Sequence, residues 1–327
     1  MLVDAFNRKH DYLRISLTDR CNFRCTYCMP LDFPGAYKWS ERWMSPEEIF
    51  HIASVFVKMG VTKIRLTGGE PLVRKDFGEI ISLLSTLPVK LTMTTNGVLL
   101  DDHWEEIQKA GIRSINVSLD SLDRERFKQI TQRDQFDRVM KNIESLLAAS
   151  VHVKLNMVVM KGVNDDEVSS FVEMTKTADV HVRFIEFMPF ADNQWEAAKV
   201  VPEREILESV SSVFKIEKLM DGPNETARAW KAIGHKGTFA LISTMTHPFC
   251  SGCNRLRLTS DGKMKNCLFS KGEMDLLSAW RRGENIETLI KQNLMAKYAE
   301  RGGQINGLLQ QVDATTIHNR SMITIGG

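Results

Sequence analysis

Six strand-like segments with helical patterns between them constrain this chain more than any other feature. The segments are Tyr12–Thr18, Lys63–Thr67, Leu91–Thr95, Ser114–Leu119, Val153–Val159 and His181–Phe187. Helical periodicity runs over Phe77–Leu84, Asp102–Ala110, Phe136–Ala149 and Glu167–Thr177. Ser45-Pro46-Glu47-Glu48 reads as a helix start, with Ser45 as cap, Pro46 in the first turn and Glu48 completing a capping box. Strands that alternate with such helices pair in parallel through right-handed crossovers. Six units are too few for the eight of a closed barrel.

The residues after each strand favour an open barrel over a flat doubly wound sheet. A cysteine loop follows the first strand, and Thr67-Gly68-Gly69-Glu70-Pro71 follows the second. Thr94-Thr95-Asn96-Gly97, Ser118-Leu119-Asp120 and Glu186-Phe187-Met188-Pro189 end later ones. Barrel enzymes place their sites at that face. The expected class is therefore α/β, an incomplete (β/α)6 barrel of the TIM type. Beyond about residue 215 the alternation stops. Strand-like pieces at Phe239–Ser243, Arg255–Thr259 and Lys263–Cys267 follow, the last two joined by a turn at Ser260-Asp261-Gly262. Two helical patterns and a tail ending Ile325-Gly326-Gly327 complete the chain. The expected division is a partial barrel over 1–215 and a C-terminal region over 216–327.

Composition narrows the function classes. With 43% hydrophobic residues in 327, the chain can bury a core, and a net charge of +2 gives no argument for nucleic acid or an anionic membrane. No apolar run approaches the roughly 20 residues of a membrane span. The Met1–His10 stretch is polar and lacks the apolar core of a signal peptide, so the expected address is cytoplasmic.

The six cysteines fall into two triplets. In a long chain without an export signal this favours metal chemistry over disulfides. Cys21, Cys25 and Cys28 have the spacing C-x3-C-x2-C. Three thiolates there can hold three corners of a cubane iron–sulfur cluster and leave the fourth iron open for a small molecule. Zinc with a histidine is the alternative, and His10, before the first strand, is poorly placed for it. Cys250, Cys253 and Cys267 leave two readings open: zinc, with His247 as fourth ligand, or a second cluster with its own open iron.

Cations on the strands indicate the substrate class. Arg14 lies on the first strand, Lys63 and Arg65 on the second, Lys154 on the fifth and Arg183 on the sixth, while Arg255 and Arg257 follow the second cysteine pair. Residues two apart on a strand share a face. Unpaired charges in apolar strands are costly, so several converging on a barrel interior call for a polyanion such as a nucleoside triphosphate. No G-x4-G-K-[ST] loop is present, which excludes the common nucleotide triphosphatase site.

The first triplet, with Tyr27 before its last cysteine, and Gly68-Gly69-Glu70-Pro71 after the second strand resemble the two signatures of the radical S-adenosylmethionine superfamily. Both triplets, the cationic strands, the stretches 13–21 and 183–188 and the Gly-Gly end together resemble the GTP 3′,8-cyclase family of molybdenum-cofactor biosynthesis. That resemblance implies a lyase carrying two 4Fe–4S clusters, with S-adenosylmethionine cleaved to a 5′-deoxyadenosyl radical. The radical would take hydrogen from C3′ of GTP, and C3′ would then add to C8, giving 3′,8-cyclo-7,8-dihydro-GTP. It implies Cys21, Cys25 and Cys28 on the first cluster, and Cys250, Cys253 and Cys267 on a second whose open iron meets the guanine. Tyr27, Gly69, Ser118 and Met188 would contact S-adenosylmethionine. Arg14, Arg65, Thr94, Lys154 and Arg255-Leu256-Arg257 would contact GTP, joined by Lys63 and Arg183 from the strand reading. The Gly-Gly end would insert toward the active site.

The implied partners are GTP, an electron donor and, transiently, the next enzyme of the pathway, with no nucleic acid or membrane; a homodimer is left open. No acid–base residue identifies itself. Asn7 departs from the family's pattern, standing where Gly or Ala is associated with it. Two rivals fit less well. A peptide-modifying radical enzyme would carry more cysteines after the barrel, and a double zinc-site binding module leaves Gly-Gly-Glu-Pro unexplained.

Overall fold

The computed structural model describes residues 1–29, 43–191, 193–305, 307 and 309–326. Six strands follow one another in parallel: β1 (Tyr12–Ser16), β2 (Lys63–Thr67), β3 (Lys90–Thr95), β4 (Ser114–Ser118), β5 (His152–Val159) and β6 (His181–Glu186). The helices between them are α1 (Pro46–Lys58), α2 (Phe77–Ser85), α3 (Trp104–Lys109), α4 (Arg124–Thr131), α5 (Phe136–Ala148) and α6 (Val168–Met174). The Ser45 capping box forms: the Ser45 side chain accepts from Glu48 N–H, and the Glu48 carboxylate accepts from Ser45 N–H at 2.8 Å. Helix α4 has no counterpart in the sequence reading. Its apolar face is reduced to Phe127 and Ile130, too little for a periodic signal.

Each barrel strand sorts its residues by alternation. Leu13 and Ile15 of β1, and Ile64 and Leu66 of β2, are fully buried in one core with Ile49, Phe56, Phe77 and Ile80 of the helices. The opposite face carries Tyr12, Arg14, Lys63, Arg65 and Thr67 into a cavity. A strand with one apolar and one cationic face suits a barrel wall enclosing a polar space, and not a sheet covered by helices on both faces.

The C-terminal region extends this sheet at both edges. Its strands are β7 (Ile216–Lys218), β8 (Arg228–Ala232), β9 (Thr238–Ile242), β10 (Arg255–Leu258), β11 (Lys263–Lys265) and β12 (Met274–Asp275). Strand β10 pairs in parallel with β1, and β9 in parallel with β6. The order is β12-β11-β10-β1-β2-β3-β4-β5-β6-β9-β8-β7, so the sheet stays open among the described residues. The alternation of strand and helix does stop after α7 (Glu203–Val213), but the parallel sheet does not. Helices α8 (Leu276–Arg281) and α9 (Ile286–Met295) pack beyond β11, and α10 (Met322–Ile325) ends the described chain. Asn7 has φ 59°, the left-handed region that Gly and Asn tolerate best, which accounts for either residue at that turn.

Candidate active site

A cavity of about 590 Å³ opens on the polar face of the barrel, and residues of both cysteine triplets line it. The triplets sit at opposite ends of the parallel strands. Cys21 follows the C-terminal end of β1, whereas Cys253 precedes the N-terminal end of β10, its parallel neighbour. Between them the register sets cations side by side: Arg257, Arg14 and Arg65 form one row, and Arg255, Tyr12 and Lys63 the next. Lys154 of β5 and Arg183 of β6 line the same space.

The first cysteine loop is braced from behind. Gly69 approaches so close that a Cβ there would stand 2.3 Å from the Arg20 carbonyl oxygen, and Glu70 N–H donates to that oxygen at 2.7 Å. The Glu70 carboxylate, 1% exposed, accepts from Thr95 Oγ1 at 2.8 Å and from Asn96 N–H at 2.6 Å. Asn96 Nδ2 in turn reaches Cys21 Sγ at 3.9 Å, and Phe23 N–H points at the same sulfur at 3.4 Å. Tyr27 donates its O–H to the buried Asp120 at 2.8 Å. Burial and the Glu70 carboxylate push the Cys21 thiol up to about 12, and burial and Asp120 do the same to Cys28. Cys25 is raised in the same direction, by burial first and then Asp120.

The second loop differs at one thiol: burial raises Cys250, as it does the thiols of the first loop, but Cys253 goes the other way. Burial raises the Cys253 thiol, but Arg255 and Lys297 outweigh it and bring it to about 6. Lys297 Nζ stands 3.5 Å from Cys253 Sγ, Arg255 Nη2 3.9 Å from it, and Arg301 N–H 3.4 Å from Cys250 Sγ. His247 is turned away: its side chain is 60% exposed and lies 4.0 Å from the Glu203 carboxylate, so the zinc set of three cysteines and His247 is not assembled. His10 bonds Asp4 at 3.0 Å and is not on the wall beside the first loop. Among the described residues no three His, Cys, Asp or Glu side chains converge on a single ion.

The sequence-derived residues mostly come together. Tyr27, Gly69, Ser118 and Met188 line the cavity near the first loop, and Arg14, Lys63, Arg65, Thr94, Lys154, Arg183, Arg255 and Arg257 line the remainder. Leu256 does not join them. It alternates to the other face and is fully buried in the apolar core. The lining residues that the sequence reading did not assign to the site include Tyr12, Asn116 and Asn156. Period two from Arg14, Lys154 and their neighbours would have found Tyr12 and Asn156. Tyr12 accepts from Arg65 Nε and lies 4.6 Å beneath Lys63 Nζ. Burial would raise its phenol, yet Arg65, Arg14 and Lys63 bring it down to about 7. Arg183 Nη2 donates to Asn156 Oδ1 at 2.5 Å, while its buried Nε has no hydrogen-bond partner among the described residues. The tail closes one side: Ile323 packs against Met29, Cys21 and Cys28, and the Gly326 carbonyl accepts from Arg257 Nη1 at 2.6 Å. Gly327 lies outside the described residues.

Residues 15–175 match the radical SAM superfamily, and residues 180–304 match the family described as Molybdenum Cofactor Synthesis C. The mitochondrial GTP 3′,8-cyclase of Arabidopsis thaliana is 44% identical over 331 residues, covering 100% of this chain and 84% of that protein. The GTP 3′,8-cyclase of Thermodesulfovibrio yellowstonii is 43% identical, covering 89% of this chain and 92% of that protein. Molybdenum cofactor biosynthesis protein 1 of Drosophila melanogaster is 43% identical, and the chain spans 50% of its length. Among solved structures, Streptococcus suis SuiB bound to S-adenosylmethionine shares the fold with a TM-score of 0.60 at 16% identity, over 83% of this chain and 65% of that one. Fold and cysteine loop together define a radical S-adenosylmethionine protein. Within that class, the chain belongs to the GTP 3′,8-cyclase family.

Membership brings S-adenosylmethionine and a 4Fe–4S cluster, and the first loop fits them. Its three thiols line the same cavity, which suits them as donors to a cubane's irons, and backbone and amide N–H groups point at Cys21. Among the described residues no helix is long and apolar enough to cross a membrane.

Proposed function

We propose that this chain converts GTP into 3′,8-cyclo-7,8-dihydro-GTP, the first step of molybdenum-cofactor biosynthesis, in the cytoplasm and with electrons from an external donor. The observation that carries the reading is the row of cations lying between two cysteine triplets in one cavity. Residues 1–215 would form the radical-generating partial barrel and supply most of the triphosphate contacts, and 216–327 would carry the second cluster and the Gly-Gly tail.

Cys21, Cys25 and Cys28 would hold the first cluster, with Tyr27, Gly69, Ser118 and Met188 around S-adenosylmethionine. When bound, these groups supply a 5′-deoxyadenosyl radical. Cys250, Cys253 and Cys267 would hold a second cluster whose open iron takes the guanine; the N–H groups aimed at Cys250 and Cys253 support that donor set. Arg14, Lys63, Arg65, Thr94, Lys154, Arg183, Arg255 and Arg257 would grip the triphosphate. The unpartnered Nε of Arg183 supplies a donor that a phosphate oxygen would satisfy. A purine fixed at one end and phosphates at the other keep C3′ and C8 of the nucleotide together. Positioning of this kind contributes about 7–11 kcal/mol to lowering a barrier.

Anaerobic incubation with GTP, S-adenosylmethionine and a reductant tests this. The expected outcome is 3′,8-cyclo-7,8-dihydro-GTP formed in step with 5′-deoxyadenosine. Cofactor cleavage that leaves GTP unchanged would remove the substrate assignment.

A further inference from the structure

Residues 2–10 fold into a hairpin just before β1, far in sequence from the second cysteine loop. Val3 and Lys9 bridge in antiparallel fashion. One carboxylate ties the turn: Asp4 Oδ1 accepts from Phe6 N–H at 2.9 Å and from Arg8 N–H at 3.0 Å. Its other oxygen accepts from Arg8 Nε at 2.6 Å and His10 Nε2 at 3.0 Å. Asp4 and Arg8 are buried, with side chains 0% and 7% exposed.

The rest of the Arg8 guanidinium points outward from the hairpin to three backbone carbonyls. Nη1 donates to Cys250 O at 2.8 Å and to Ala299 O at 2.7 Å, and Nη2 to Tyr298 O at 2.9 Å. The first carbonyl belongs to a cysteine of the second triplet, 242 positions away. The other two belong to the turn whose Lys297 and Arg301 direct N–H groups at Cys253 and Cys250. One planar, charged fork thus joins the segment that carries the thiols to the segment that donates hydrogen bonds to them. Lysine, a point charge with three donors on one atom, cannot reproduce that fork.

We infer that Arg8, oriented by Asp4, is a positioning residue that fixes the second cysteine loop for its cluster. The inference rests on the second-cluster reading above. Arg8 touches neither thiol nor cavity wall; it acts through the Cys250 carbonyl and the 298–299 turn. Removing it takes a charged donor from three part-buried carbonyls and cuts the tie between the two segments, which frees the loop to spread. The first loop lies at the far end of the strands and serves as internal control.

The test uses anaerobically reconstituted wild type, Arg8→Gln, Arg8→Lys and Asp4→Asn. Four quantities are read: iron per chain, the rate of iron release to a chelator, the reduced-state EPR spectrum with and without GTP, and 5′-deoxyadenosine formed without GTP. Arg8→Gln should keep one cluster and its uncoupled 5′-deoxyadenosine formation, while the second cluster is released several-fold faster and loses its GTP-dependent EPR change. Asp4→Asn should show a weaker version of the same pattern, and Arg8→Lys should recover part of the loss. Equal release rates and an unchanged GTP-dependent spectrum in Arg8→Gln or, should that variant not fold, in Arg8→Lys and Asp4→Asn, would overturn the inference. Wild type that takes up a single cluster, matching Cys267→Ala, would instead overturn the second-cluster reading and this inference with it.

Discussion

The two cysteine loops hold the same number of thiols and are built in opposite ways. The first is local: three cysteines within eight residues of chain, buried beside the carboxylates Glu70 and Asp120, with every thiol pushed up. The second is assembled from distant segments, and it sits against Arg255, Lys297 and the backbone of Arg301. An anionic setting disfavours further negative charge on a cluster, whereas a cationic one stabilises it. On the second-cluster reading proposed above, the difference would suit a first site that gives up an electron and a second that holds its charge while binding a base.

The sharpest way to break this comparison is to remove one thiol from each loop. Cys28→Ala should abolish S-adenosylmethionine cleavage outright. Cys267→Ala should lose the cyclised product yet still release some 5′-deoxyadenosine, measured by chromatography. Full cyclase activity in Cys267→Ala would dissolve the division of labour.

The cations between the loops come next. Arg257→Ala and Lys154→Ala should each weaken GTP binding by ~1.5–3 kcal/mol, the range for charge-assisted hydrogen bonds. Iron content should stay at the wild-type level. Anaerobic equilibrium binding decides it, and unchanged affinity in both variants would move the triphosphate elsewhere.

The tail touches both sides of the comparison through Ile323 and Arg257. Deleting Gly326 and Gly327 should leave iron content and melting near wild type and cut product formation at least about tenfold, or ~1.4 kcal/mol in barrier. Gly326→Ala should act in the same direction. Its φ is 78°, and a Cβ would meet Ser16 and Thr67 side-chain atoms at 2.9 Å. A truncated chain with wild-type yield would show the tail idle.

The smallest effect is a pH dependence. Burial and the charges of Arg183 and Arg65 bring Lys154 down to about 8. Bound phosphate favours its charged form, so its pKa rises on binding. GTP affinity is then full below pH 8 and falls as pH climbs past it, by at most about tenfold per unit. Lys154→Met should flatten that part of the profile, measured by titration calorimetry between pH 7 and 9.

Local patterns made the barrel and the first loop legible. Strands β1 to β6 announced themselves through alternation, and Cys21, Cys25 and Cys28 lie within one short segment. What escaped was set by contacts remote in sequence. Nothing near Arg255 shows that β10 will pair with β1, because parallel partners share no turn. His247 satisfied a spacing rule for zinc, but its exposed side chain lies beside Glu203 instead. Leu256 was included with its neighbours although strand alternation turns it into the core. Arg8 gave no signal at all, since its partners are carbonyls, and backbone atoms leave no trace in residue type.

The pairing of β1 with β10 also bears on how the protein is made. Until the last part of the chain emerges, the free edge of β1 has no neighbour on that side. At roughly 5–20 residues per second, it waits on the order of tens of seconds. An unpaired parallel edge is a template for association with other chains. A ribosome-bound intermediate therefore needs either a chaperone on that edge or a late-folding first strand, and dilution during refolding should raise the yield more than slow cooling.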